Sequence, residues 1–313
     1  MSNPSHYRLM SVRTGAAFDD SGWMLDAPAE TEPSLIRAVY TNRQLEVKDL
    51  SRGLYRFADW LPVKRSLKGS SAPVTWKSKG LAGHLQLENL WITFSGYWPE
   101  KGAMMRTCSF KETEAYSVCG RLDPASDKIL VVASAGNTAR SFARVCSDNR
   151  IPLLLCMPFD TLGAMWFDEP VDPCVKLVVT GSGSDYFDAI RLSNLACTLD
   201  IFLPEGGAKN VARRDGMGTT VLSAVTAMGE IPAFYFQAVG SGTGAIAAWE
   251  ANLRLIADGR FGNRKMKLML SQNFPFTPMA DAWEKGSREI SIPDDETARR
   301  QVAEIMATVL SNR

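Results

Sequence analysis

The sequence predicts an α/β fold with two open, mostly parallel sheets, and three observations carry that expectation. A chain of 313 residues is long enough for about two domains with a sizeable core. From residue 128 onward, short apolar runs rich in β-branched residues alternate with helical patterns, as βαβ units require. Two of those runs end in turns of small residues, at 134–138 and 240–244, that open directly into helical patterns.

In chain order, residues 1–50 are polar and weakly periodic, with Val39-Tyr40 a candidate strand, and read as an N-terminal extension. Residues 54–63 carry aromatics and end in Leu61-Pro62-Val63, where the chain enters the main domain. Residues 73–76 read as a short strand, 81–87 as a helical turn, 90–94 as a strand and 95–102 as a loop by its Gly and Pro content. A helix is expected at 112–119. Strands follow at 128–133, 152–157 and 176–180, with helices at 138–148 and 186–197. A second α/β section places helices at 218–228 and 245–257 and strands at 235–239 and 267–270. The tail, 294–313, has the pattern of a charged amphipathic helix. There is no internal repeat or low-complexity tract.

Composition narrows the function. With 45% hydrophobic and 22% charged residues the chain is of the globular class, and its net charge of +1 argues against a polyanion-binding surface, so no nucleic-acid partner is expected. No apolar run approaches the length of a membrane span, and the N-terminal segment lacks the apolar centre of a signal peptide. The six cysteines include no C-x-x-C pair, and most lie in apolar stretches, so reduced structural thiols in the cytoplasm are expected. Cys108 stands apart because it adjoins the lysine discussed next. His6 and His84 are the only histidines, which speaks against a histidine triad or a metal site. Acid–base chemistry must come from another group.

Three segments supply candidates. Ser109-Phe110-Lys111 offers an amine that can form a Schiff base; such a lysine needs burial or neighbouring cations to be neutral, and otherwise it is a surface residue at a helix start. Ser134, Ala135, Gly136, Asn137 and Thr138 lie at the carboxyl end of a strand, where open parallel sheets bind ligands, although an ordinary turn with Asn137 near the helix cap reads the same way. Gly240, Ser241, Gly242, Thr243 and Gly244 join a strand to a helix, so their backbone N–H groups can cradle a phosphate. That loop lacks the Gly-Lys-Ser/Thr ending of a nucleoside-triphosphate site and has no clear ribose-binding acid after it, Asp258 falling in a helix-end pattern.

With lysine first, the AGNT turn about 25 residues later and the glycine loop about 100 beyond that, the segments resemble fold-type II pyridoxal-phosphate enzymes, the group of threonine synthase and the tryptophan synthase β-subunit. The resemblance implies two open, mostly parallel-sheet domains with the cofactor in the cleft between them. It assigns Lys111 as the catalytic, cofactor-bearing residue. Asn137 would face the cofactor ring and 240–244 its phosphate, while Ser134, Ala135, Gly136, Thr138 and Arg106 would meet the substrate. It places an N-terminal extension at 1–53, a large domain at 54–128 with 206–313, and a small domain at 129–205.

A denser likeness, over roughly 54–313, is to the cysteate synthase family. It rests on residues 94–103 (FSGYWPEKGA), 107–112 (TCSFKE), 204–214 (PEGGAKNVARR), 237–244 (QAVGSGTG) and 271–276 (SQNFPF). The family's reaction implies O-phospho-L-serine and sulfite as substrates, L-cysteate and phosphate as products in coenzyme M biosynthesis, pyridoxal 5'-phosphate as cofactor and a homo-oligomer. It also implies cations near the substrate's β-carbon, for which Arg106, Lys101, Lys209, Arg213 and Arg214 are candidates. Two departures stand out. Ala139 and Ser141 vary a segment that often reads AGNTGRAF, and the family continues past Arg313 with a portion that supplies a hydroxyl for the pyridine nitrogen. Another β-replacement enzyme of the threonine synthase kind and a catalytically silent cofactor-binding protein remain as alternatives.

Overall fold

The polar N-terminal stretch alternates more regularly than its composition suggests. In the computed structural model, which describes residues 6–28 and 30–305, it forms an antiparallel sheet of β1 (Tyr7–Ser11), β2 (Ala17–Phe18) and β3 (Ile36–Tyr40), in the order β2-β1-β3. Tyr7, Leu9, Ile36, Ala38 and Tyr40 are buried on one face of it, as a two-residue side-chain period demands. They join a core shared with later helices.

After 3-10 turns over Leu50–Trp60 come β4 (Val74–Lys77), α1 (Gly80–Leu85) and β5 (Trp91–Phe94), with β4 and β5 antiparallel. The stretch expected as a loop at 95–102 contains β6 (Tyr97–Trp98), which pairs with β7 (Ala103–Met104). Then α2 (Lys111–Arg121) begins, and its buried residues run from Glu112 to Arg121.

The next four strands build one parallel sheet. They are β8 (Ile129–Ala133), β9 (Leu153–Met157), β10 (Val175–Val179) and β11 (Phe202–Pro204), in the order β10-β9-β8-β11. The helix α3 (Asn137–Asn149) connects β8 to β9, and α4 (Tyr186–Ala196) connects β10 to β11. Leu130, Val132, Leu153, Leu155 and Met157 pack with Phe142 and Val145 of α3 and with Ala115 and Val118 of α2 in a single core. The short edge strand β11 has no apolar alternation and was not anticipated.

The remaining elements are α5 (Val211–Met228), β12 (Phe234–Ala238), α6 (Thr243–Asp258), β13 (Lys267–Ser271), α7 (Pro278–Glu284) and α8 (Asp295–Ala303). β12 and β13 form a second parallel sheet of two strands. The helix expected from 218 begins at Val211, where Asn210 caps it by accepting from the Ala212 N–H. Gly216 and Gly218 both lie inside α5. A Cβ on Gly216 would sit 2.4 Å from the Thr113 carbonyl oxygen, so glycine is what lets α5 approach α2 this closely. Ala212 belongs to the first core and Val211, Val221, Leu222 and Val225 to the second, which makes α5 the spine joining them. The helix expected in the tail is α8, and residues 306–313 lie outside the described ones.

Candidate active site

A cavity of ≈ 330 Å³ lies where the first residues of four helices meet: Lys111 of α2, Asn137 of α3, Tyr186 of α4 and Thr243 of α6. A helix start leaves backbone N–H groups without acceptors and carries partial positive charge. At α2 and α4 that charge is offset by acids in the first turn, Glu112, Glu114 and Asp188, and at α4 also by the capping Asp185. No acid stands in the first turn of α3 or α6. Those two helices are therefore the anion-attracting walls.

Lys111 is positioned by the turn before it. Ser109 Oγ accepts from the Lys111 N–H at 3.3 Å, and Glu112 accepts from the Thr107 N–H and hydroxyl at 2.9 and 2.8 Å. Burial lowers the Lys111 pKa below that of an ordinary lysine; Glu114 opposes the shift and Arg213 reinforces it. The amine is thus available in its neutral, nucleophilic form at lower pH than a solvated one.

The turn at 134–138 is built by its serine. Ser134 Oγ accepts from the Gly136 and Ala139 N–H groups at 3.2 and 3.0 Å, while the Thr138 hydroxyl donates to Glu114 at 3.0 Å. Arg140 donates to Asn137 Oδ1 at 3.0 Å and to the Thr107 carbonyl at 2.7 Å, tying this turn to the lysine loop. That bond fixes the Asn137 amide so that its Nδ2 hydrogens remain as donors.

In the glycine loop, Gly242 adopts φ +74°, which a side chain would strain, and it turns the chain into α6. Among the described residues, the backbone N–H groups of Gly240, Ser241 and Gly242 have no protein acceptor. Ser241 and Thr243 hydroxyls lie 2.9 Å apart beside them. Gln237 also lines the cavity, and its buried Oε1 has no hydrogen-bond partner among the described residues. An amine, an amide donor and a ring of unspent N–H groups in one cavity match the aldehyde, phenolate oxygen and phosphate of pyridoxal phosphate.

All three sequence segments therefore line one cavity, with Lys111, Ser134, Ala135, Gly136, Asn137, Thr138, Gly240, Ser241, Gly242, Thr243 and Gly244 in its wall. Arg106 is not brought there. Its guanidinium is held by Asp168, Glu169 and Asp148 at 2.6, 2.8 and 3.3 Å, outside the cavity wall. Three other candidate cations are also engaged elsewhere. Lys101 lies over the Trp76 and Trp98 rings, Lys209 pairs with Asp26, and the fully buried Arg214 pairs with Glu250. Arg213 alone of the five lines the cavity, bonded to Glu205 at 2.6 Å and Glu114 at 3.1 Å. Burial works against its charge, but the two carboxylates outweigh burial and raise its pKa.

Glu114, Glu205, Arg140, Tyr186 and Gln237 were not singled out from sequence. Glu114 had a signal, since three residues on from a lysine is one helical turn away on the same face. Glu205 and Gln237 lie in the segments 204–214 and 237–244 that carry the family likeness, while Arg140 and Tyr186 come from separate elements and had no signal. Cys108 is exposed, and all six cysteines are free thiols.

Residues 95–308 match the family described as pyridoxal-phosphate dependent enzyme. The chain is 47% identical over 286 residues to a cysteate synthase of Methanosarcina acetivorans, covering 91% of this chain and 68% of that one. It is 47% identical over 307 residues to the cysteate synthase of Methanospirillum hungatei, covering 98% of this chain and 71% of the other. In fold it is similar to holo diaminopropionate ammonia lyase from Escherichia coli, with a TM-score of 0.52 at 13% identity over 80% of this chain and 68% of that one.

Proposed function

Because this chain belongs to the pyridoxal-phosphate dependent enzymes and, within them, to the cysteate synthases, we propose that it converts O-phospho-L-serine and sulfite to L-cysteate and phosphate. The observation that carries the reading is the meeting of Lys111, Asn137 and 240–244 in one cavity. Lys111 would bear the cofactor, Asn137 Nδ2 would face its phenolate oxygen, and the N–H groups of 240–244 with the hydroxyls of Ser241 and Thr243 would hold its phosphate. When bound, the cofactor supplies the electron sink that stabilises negative charge at the substrate's α-carbon.

The protein's own groups do the rest. The N–H groups that open α3 hold the substrate carboxylate. Lys111 Nζ, released as a neutral amine, takes the α-proton and returns it to the same carbon once sulfur has replaced phosphate at the β-carbon. Among the described residues, Arg213 is the side-chain cation that lines the cavity besides Lys111, and the start of α3 adds positive potential for the phosphate and the sulfonate. Ser134 and Thr138 act through their bonds to the turn and to Glu114, shaping this wall.

The 47% identity to cysteate synthases favours this reaction over a threonine-synthase-like replacement and over a silent binder. Incubation with cofactor, O-phospho-L-serine and sulfite should yield cysteate and phosphate by mass spectrometry, while O-phosphohomoserine should yield no threonine. The reverse pattern would overturn the assignment. A cytoplasmic setting and a homo-oligomer complete the proposal. The first is supported by the six free thiols, and no described helix is long and apolar enough to cross a membrane. The second is supported by the exposed apolar side chains of β12 and β13, with Phe236 71% exposed. Light scattering on the purified chain tests the second, with a mass above that of one chain expected.

A further inference from the structure

Four charged side chains from three places in the chain share one buried cluster beside the cavity. Lys111 and Glu114 come from α2, Arg213 from α5, and Glu205 from the segment between β11 and α5. Thr138 of α3 and Tyr186 of α4 close the cluster, and burial raises the Tyr186 pKa, so its ring faces the charges as a neutral phenol. Glu114 is 0% exposed, and a carboxylate so placed is tolerated only with partners for both oxygens.

Its two oxygens are used differently. Oε1 accepts from the Thr138 hydroxyl at 3.0 Å and pairs with Arg213 at 3.1 Å, so it is fixed from α3 and α5 at once. Oε2 has Lys111 Nζ as its partner, at the longer distance of 3.4 Å. Arg213 is in turn held by Glu205, which keeps its charge from being directed at Lys111 alone. One oxygen is thus locked, and the other is presented to an amine that has to leave and return.

We propose that Glu114 is the positioning residue for the Lys111 amine, its Oε2 receiving Nζ whenever that nitrogen is free and protonated, while Thr138 and Arg213 hold the carboxylate in place. The proposal rests on Lys111 being the cofactor-bearing residue. It accounts for an acid in the first turn of α2, where it faces inward instead of lying on a solvated face. It also gives the freed amine a defined resting place within reach of the substrate.

The test reads the amine directly in the cofactor-free full chain. Acetylation of Lys111 by acetic anhydride, followed against pH by peptide mass spectrometry, reports the midpoint at which Nζ becomes neutral. An opposite charge at this range moves a titration by about one to three units, so Glu114→Gln should lower the Lys111 midpoint by about one unit or more. Glu114→Asp keeps the charge but withdraws it by one methylene, so its midpoint should fall between the two. Should the Gln chain not fold, by circular dichroism and thermal melting, the Asp variant alone must still show a downward shift. A midpoint that is unchanged, or that rises, in the folded variants overturns the proposal. The outcome is separable from the reaction itself. A shifted midpoint in a chain that makes no cysteate removes only the reaction, and an unshifted one in an active enzyme removes only the role of Glu114.

Discussion

At Lys111 two effects oppose each other, and the balance decides whether the residue can work. Burial disfavours the ammonium, Glu114 favours it, and the net result is a lowered pKa. The sign has a consequence for cofactor uptake. A lowered pKa means that the neutral fraction at any given pH exceeds that of a solvated lysine, whose midpoint is about 10.4. The pH dependence of the visible absorbance formed with pyridoxal phosphate should therefore have its midpoint below that value; a midpoint at the solvated value would contradict the burial argument. Lys111→Ala should remove both the absorbance and turnover. The segments that meet around Lys111 were legible in the sequence because all three kept a recognisable order. Arg106 was misjudged because the sequence shows a cation but not the Asp168, Glu169 and Asp148 that engage it. Charges are assigned to partners by tertiary contacts, and local pattern carries little of that information.

At the scale of the element, α5 shows where periodicity misleads. Its buried residues run almost continuously from Val211 to Val225 and include Gly216 and Gly218, so no polar face marks its start. A helix wrapped by neighbours on most sides shows no clear period, and packing explains its glycines, Gly216 against α2 and Gly218 against Ala247 and Ala251 of α6. Gly216→Ala would put a methyl 2.4 Å from the Thr113 carbonyl oxygen and 2.7 Å from Ser117 Cβ. Overpacking of this kind destabilises by about 1–3 kcal/mol. Urea denaturation should show a loss in that range, together with weaker cofactor retention, because the same turn of α2 carries Lys111. An unchanged midpoint would mean that the two helices are not as tightly apposed as the structure has them. The strands β8 and β9 were legible because buried parallel strands are continuous apolar runs, and β12 and β13 were legible from apolar runs of the same kind although most of their side chains are exposed. The two- and three-residue strands were not, being too short to carry a period.

Across the whole molecule, the N-terminal segment buttresses the site from outside. Asp20 makes a bidentate pair with the fully buried Arg121 at the end of α2, and Arg121 also donates to Asn210, the cap of α5. Trp23 donates to the Pro204 carbonyl at 2.7 Å, just before Glu205. Residues taken from sequence as an extension thus hold together the two helices that carry Lys111 and Arg213. Breaking a buried ion pair from one side destabilises by about 3–5 kcal/mol, and Asp20→Ala should show a loss of that order in denaturant unfolding. A loss below about 1 kcal/mol, the range of surface pairs, would contradict the buttress. The central claim is that residues 111, 137 and 240–244, far apart in the chain, converge on one cofactor. Borohydride reduction of the protein with one equivalent of pyridoxal phosphate, followed by peptide mapping, tests it most directly. The account predicts the reduced cofactor on Lys111 alone, and label absent from Lys111 or scattered over other lysines would contradict it.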